Sequence, residues 1–229
     1  HVELARSVND RNTRMAFSAW QKAREDERQE ARERIMEIIP NPSDDDILRY
    51  LLWKEQGEKC LYSDDPHRTI SLRDVFTSAY DIEHTIPRCR SGNNSQANLT
   101  LCAHDYNCQR KKGRIPSECD NYDEILVRIQ PWQGKVAELE SAYYNQLKTA
   151  KNTPQDNPEA KARNRQKALA TKMELDYWRD KVFAFTATAD RLTDGFMNRQ
   201  LVDTGIMTRH ALALLRTVYK QTYPVNGTA

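Results

Sequence analysis

The stretch Tyr80-Asp81-Ile82-Glu83-His84-Thr85-Ile86-Pro87, continuing through Asn98 and Asn107 to Gly113, decides how this chain is read: YDIEHTIPRCRSGNNSQANLTLCAHDYNCQRKKG. It opens with a carboxylate–histidine pair in a short run that predicts a strand over 80–86. A Gly/Asn/Ser loop follows at 91–95. A helix is expected from about Ala97 to Lys112, ended by Gly113 and Pro116. Such a strand–loop–helix carries the residue types that phosphodiester hydrolysis requires. Water needs a base, and His suits that role because it titrates near neutral pH. The phosphate and leaving oxygen need a cation, and magnesium takes hard oxygen ligands while keeping several waters. One carboxylate and one amide oxygen are then sufficient protein ligation. Successive strand residues face opposite ways, so Glu83 and His84 share a cleft only where the strand ends or bulges.

Working outward, short strands are also expected at 59–62 and 69–72. A long helix runs from about Ser7 to Ile39, with apolar Val8, Met15, Ala19, Trp20 and Ala23 in its first half. Its second half is charged nearly all round, with pairs such as Glu30 and Arg34, and reads as a bridge between domains. Pro40, Pro42 and the run Ser43-Asp44-Asp45-Asp46 stop it and cap the next helix. Helices are expected over 120–150 and Glu159–Phe185, with a turn-rich break at 153–158. A last amphipathic region spans Asp194–Tyr219, and the small-residue stretch Thr186–Ala189 reads as a hinge. The fold class is therefore mainly α with a small β element of two or three strands.

The 229 residues are 38% hydrophobic and 30% charged, with net charge +2. Mean hydropathy is −0.85 and the pI is near 8.3. There is no global basic field, so nucleic-acid contacts must be local. Arg88, Arg90, Arg110, Lys111, Lys112 and Arg114 flank the proposed cleft and are the candidates to hold phosphates. No run is long and apolar enough to span a membrane, and no membrane partner is expected. Five cysteines, an odd number, argue against a disulfide framework and fit a reducing cytoplasm. The opening His1-Val2-Glu3-Leu4 reads as a strand end, as if excised from a larger protein.

The 80–113 segment resembles the HNH (ββα-metal) nucleases, with His84, Asn98 and Asn107 in the places of the family's His, Asn and final His-or-Asn. That resemblance implies a ββα-metal core flanked by long helices. It implies that His84 activates water, that Glu83 and Asn107 hold Mg2+ (or Mn2+), and that Asn98 ties down the loop. All four would then be catalytic. Asp81 would support the site from behind, or simply hydrogen-bond at the strand end. Many members place Asp before the histidine, where this chain has Glu83. Many also bind a structural zinc through two Cys-x-x-Cys knuckles. Cys60 and Cys102 stand in such places, but Ser63 and Asp105 replace their partners, so structural zinc is not expected. His67 and His104 read as solvent or loop residues, and His210 as a packing residue.

Two flanking stretches resemble type II CRISPR-associated RNA-guided DNA endonucleases. Val2-Glu3-Leu4-Ala5-Arg6 is similar to their second RuvC motif. Gly195–Thr204 with Ile206–His210 is similar to the stretch that re-enters the RuvC fold after the HNH insertion. The organisation implied is a RuvC-like segment and connecting helix over 1–40, an HNH domain over 41–180, a linker over 181–195, and re-entry into RuvC over 196–229. Glu3 would be a metal ligand of the RuvC site, which this chain alone cannot complete. The resemblance implies guide RNA, target DNA and the remainder of the effector as partners, and a bacterial cytoplasmic setting. It implies cutting of the DNA strand paired to the guide. A stand-alone homing or restriction endonuclease, or a non-catalytic nucleic-acid-binding module on an HNH scaffold, are the competing readings.

Overall fold

A computed structural model describes residues 10–65, 69–91, 93–192 and 211–219. Glu3, His67, His210 and the motif at 195–210 lie outside the described residues. The chain divides into two units, Arg11–Ala187 and the remainder. In the remainder, residues 189–192 and 211–218 are helical.

The Arg11–Ala187 unit is mostly helical around one two-stranded sheet. Helices α1 (Arg11–Met36) and α2 (Asp44–Glu55) precede strand β1 (Tyr80–His84). A short α3 (Arg88–Ser91), strand β2 (Leu99–Ala103) and a π-helix (Tyr106–Lys111) follow. Helices α4 (Tyr122–Arg128), α5 (Gln130–Asn152) and α6 (Pro158–Thr186) complete it. None of the described helices is long and apolar enough to cross a membrane.

Local chemistry explains the helix starts. Ser43 Oγ accepts from Asp46 N at 3.2 Å while the Asp46 carboxylate accepts from Ser43 N at 2.8 Å, a closed capping box at α2. Asn157 caps α6 by accepting from Ala160 N at 3.0 Å. Pro131 and Pro158 sit in the first turns of α5 and α6, where a missing N–H leaves nothing unsatisfied.

The sheet differs from the sequence expectation. Leu99–Ala103 is a strand, not the start of a helix, and pairs antiparallel with β1, from Tyr80 opposite Ala103 to His84 opposite Leu99. Leu99, Thr100, Leu101 and Cys102 are all buried, which erases the polar–apolar alternation that marks a half-exposed strand. The runs at 59–62 and 69–72 reduce to one isolated bridge, Lys59 with Thr69. Side chains take the place of a third strand on β2. Gln56 accepts from Leu101 N at 2.6 Å and donates to Leu101 O at 3.0 Å, and Lys181 Nζ donates to Leu99 O at 3.1 Å. These bonds satisfy backbone groups that would otherwise be buried unpaired.

Helices then wrap this core. α6 continues past residue 180 and carries Lys181 and Phe185 into the interior, both fully buried. Lys181 meets Glu55 at 2.6 Å, and Glu55 also accepts from Tyr177 Oη at 2.6 Å. The Phe185 ring lies 5.6 Å from Tyr62 and 5.5 Å from Trp132. α1, expected to bridge between domains, packs along α6 within this unit. Arg24 pairs with Glu174 at 2.7 Å and sits 4.5 Å over the Tyr177 ring, and Ala16, Ala31 and Ile35 are buried. Its charged look reflects ion pairs to neighbouring helices as well as to solvent.

Because Phe185 joins α6 to the sheet layer, Phe185→Ala is expected to destabilise this unit by about 3–5 kcal/mol. Urea unfolding followed by circular dichroism measures it, and a loss under about 1 kcal/mol would mean that α6 docks independently of this ring.

Candidate nuclease site

The site is built where β1, the loop that follows it and the 104–111 segment converge. Asn98 fixes the loop. Its Oδ1 accepts from Ile86 N, and its Nδ2 donates to Ile86 O and Asn93 O, each at 2.9 Å. Asn98 is 1% exposed, so these bonds form away from water. The chain leaving β1 is thereby held against the start of β2, and His84 is presented at the rim.

His84 Nε2 lies 3.1 Å from Arg88 Nε and 3.1 Å from Asn94 Oδ1. Arg88 can only donate and Asn94 Oδ1 can only accept, so the ring serves one or the other according to which nitrogen holds the proton. Facing Arg88, Nε2 keeps its lone pair, the state a general base needs.

Asp81 and Glu83 alternate onto the opposite face of β1, toward the π-helix, and have different surroundings. Glu83 is buried. One oxygen accepts from Tyr62 Oη at 2.6 Å and Thr100 Oγ1 at 2.7 Å, and the other pairs with Lys111 Nζ at 2.8 Å. Lys111 also donates to His84 O at 2.9 Å. Burial, then the nearby Glu83 charge, hold the Tyr62 hydroxyl well above its ordinary range, so it remains a donor. Asp81 is half-buried and accepts from Asn107 Nδ2 at 3.0 Å and faces His104 Nδ1 at 2.9 Å.

This arrangement departs from the expected ligand set. Glu83 is paired with the Lys111 ammonium at 2.8 Å, and the Asn107 amide is bonded to Asp81 instead. Asp81, expected only to support, is the carboxylate that reaches Asn107. His104 is exposed, as expected, and its ring also faces the same carboxylate. The π-helix carries Asn107, with His104 just before its start, and its wide turn is closed by Lys112 N to Asn107 O at 2.9 Å. Turns of this kind recur at functional sites. Sequence spacing alone gives no sign of it, since it depends on five-residue hydrogen bonds.

The basic residues are also less free than their sequence suggests. Lys111 is 1% exposed and cannot reach a phosphate as arranged. Arg90 pairs with Glu118 at 2.7 Å, Arg110 pairs with Asp64 and lies over Tyr106, and Arg114 holds Asp120 at 3.3 Å. Arg88 stands on the exposed rim beside His84, and Lys112 is exposed at the end of the π-helix. Cys60 and Cys102 do come together in the core. A hydrogen bond from Cys102 lowers the Cys60 thiol to about 6, while burial pushes Cys102 up.

Sequence reading missed Asn94, Tyr62, His104 and Cys108 as contributors. The available signal was the i, i+4 spacing of His104 and Cys108. The buried Glu83–Lys111 pair yields a stability test. Glu83→Gln leaves a buried ammonium without its anion and is expected to cost about 3–5 kcal/mol. Pairing it with Lys111→Met should recover much of that loss. A double variant as unstable as the sum of the singles would show that the two groups are not coupled.

A family model described as HNH endonuclease matches residues 60–117. CRISPR-associated endonuclease Cas9 1 of Streptococcus thermophilus (strain ATCC BAA-491 / LMD-9) is 26% identical over 136 residues, covering 54% of this chain. The chain spans only 12% of that protein's length. Crystal structures of Streptococcus thermophilus Cas9 in complex with the AGAA PAM and with the GGAA PAM are each 23% identical. Each has a TM-score of 0.46 and covers 56% of this chain and 14% of its own. The strand–loop–strand–helix around His84, Asn98 and Asn107 falls inside the segment that the HNH endonuclease model matches, and over 54% of its length the chain is similar in sequence to a Cas9 endonuclease.

Proposed function

We propose that this domain hydrolyses the DNA strand paired to a guide RNA within a larger CRISPR effector, with His84 as general base and a divalent cation as cofactor. The observation that carries the catalytic part is the junction of Asp81 with Asn107 across β1 and the π-helix, on the same strand whose end presents His84 at the rim. Supporting the wider reading are the relative's name and the RuvC-like motifs at both ends, including Glu3 as a ligand of a second site. The second strand of DNA would be cut by that site.

The donor set fits a hard cation. Asp81 offers a half-exposed carboxylate, and rotation of the Asn107 amide would turn its oxygen toward the same place. We assign these two as ligands of Mg2+ or Mn2+. When bound, the cation neutralises charge on the scissile phosphate and leaving oxygen. His84 takes the proton of the attacking water at Nε2, the nitrogen that Arg88 and Asn94 position. Arg88 and Lys112 hold flanking phosphates, with Arg90, Arg110 and Arg114 contributing once their carboxylate partners release them. Asn98 acts through His84, by fixing the loop that positions it. Glu83 becomes a ligand only if Lys111 leaves it, and its role in this structure is to hold the π-helix on β1.

The decisive experiment uses the full-length, guide-loaded protein and scores each DNA strand separately. His84→Ala is expected to lower cutting of the guide-paired strand by about 10²–10⁴-fold and to leave the other strand's cut intact. Unchanged cutting of both strands would sink the assignment and leave the non-catalytic scaffold as the better reading.

The ligand assignment has its own test. Asp81→Asn is expected to raise the Mg2+ concentration needed for half-maximal rate without loss of thermal stability. Glu83→Gln should lower stability and leave that concentration nearly unchanged. The reverse pattern would identify Glu83 as the ligand and Lys111 as a displaceable occupant.

A further inference from the structure

The ring of His104 joins three different donors on one exposed surface. His104 Nδ1 lies 2.9 Å from Asp81 Oδ2 and 3.9 Å from Cys108 Sγ, and Nε2 lies 3.7 Å from the same sulfur. One ligand atom from each residue falls within 4.8 Å of the other two. Tetrahedral zinc, with bonds of about 2.0–2.3 Å, separates its ligand atoms by roughly 3.3–3.8 Å. The observed spacings bracket that range, so small side-chain rotations close the site. His104 is 52% exposed and Asp81 28%, and Cys108 is exposed, so an ion can enter from solvent.

We propose that Asp81, His104 and Cys108 form a binding site for a thiophilic divalent cation of the zinc type. An imidazole, a thiolate and one carboxylate select such an ion over magnesium, which prefers oxygen ligands alone. Three protein ligands leave a fourth position for water. Binding releases the Cys108 thiol proton to solvent and replaces the Asp81–His104 hydrogen bond with two metal bonds. Nothing is oxidised or reduced.

The site shares Asp81 with the proposed magnesium ligands. Occupation would therefore draw Asp81 away from Asn107 and inhibit magnesium-supported cleavage, a consequence that rests on the functional reading above. The binding itself does not rest on it.

Cobalt(II) is the probe, because thiolate ligation gives a near-ultraviolet charge-transfer band and tetrahedral geometry gives visible absorption. The folded 229-residue chain should develop both on titration, and a large excess of Mg2+ should not remove them. Cys108→Ser should abolish the charge-transfer band. His104→Ala and Asp81→Asn should weaken binding by about tenfold or more. Cys89→Ser, which removes another exposed thiol, and His84→Ala should leave both signals intact. A charge-transfer band that persists in Cys108→Ser overturns the proposal, as does a wild-type chain that gives none. Failure of the hydrolytic reading looks different: His84→Ala would keep full cleavage while the cobalt signals still depend on Cys108.

Discussion

The buried ion pair between Glu83 and Lys111 is the contact on which the packing of β1 against the π-helix depends. It places one full charge from β1 and one from the π-helix in an interior where neither can find water. Two charges in that setting are tolerable only when they meet in good geometry and have their remaining capacity filled. Tyr62, Thr100 and the carbonyl of His84 do that filling. The pair thus sets the distance and register between strand and helix. Asn107, four residues before Lys111, is carried to Asp81, two residues before Glu83.

The same strategy recurs on the other side of the sheet. A two-stranded ribbon is marginal alone and leaves polar backbone at its edge. Here Gln56 from α2 and Lys181 from α6 bind the β2 backbone directly, and Glu55 neutralises Lys181. Helix docking and sheet completion are therefore one event. The helices are required structure around the two-stranded sheet, which explains why a chain of modest hydrophobicity holds a packed core. The aromatic cluster of Tyr62, Trp132, Trp178 and Phe185 supplies apolar burial between those polar anchors.

Within the site, burial divides the work among three acidic or basic side chains of a five-residue strand. Glu83 is sequestered and structural as arranged, Asp81 is half-open and faces amide, imidazole and thiol donors, and His84 stands on the rim. Strand alternation separates His84 from the two carboxylates, and the loop locked by Asn98 brings its ring to the strand end. Asp81 thus has an amide, an imidazole and a thiol among its neighbours.

The motif spacing His84, Asn98, Asn107, the long helices and the cap at Ser43 were legible from sequence, because each rests on local chemistry. A capping box, an apolar helical period and a motif need only near neighbours along the chain. β2 was not legible: Leu99–Cys102 is buried on both faces, so its pattern does not distinguish strand from helix, and only pairing with β1 decides it. Nor was the fate of Glu83 and Lys111. Both are charged residues that sequence assigns to a metal and to a phosphate, and tertiary burial joins them to each other instead. The sequence by itself determined which groups this domain has for its chemistry. The tertiary structure decided which carboxylate stays accessible, because desolvation and the nearest opposite charge are properties of the folded interior.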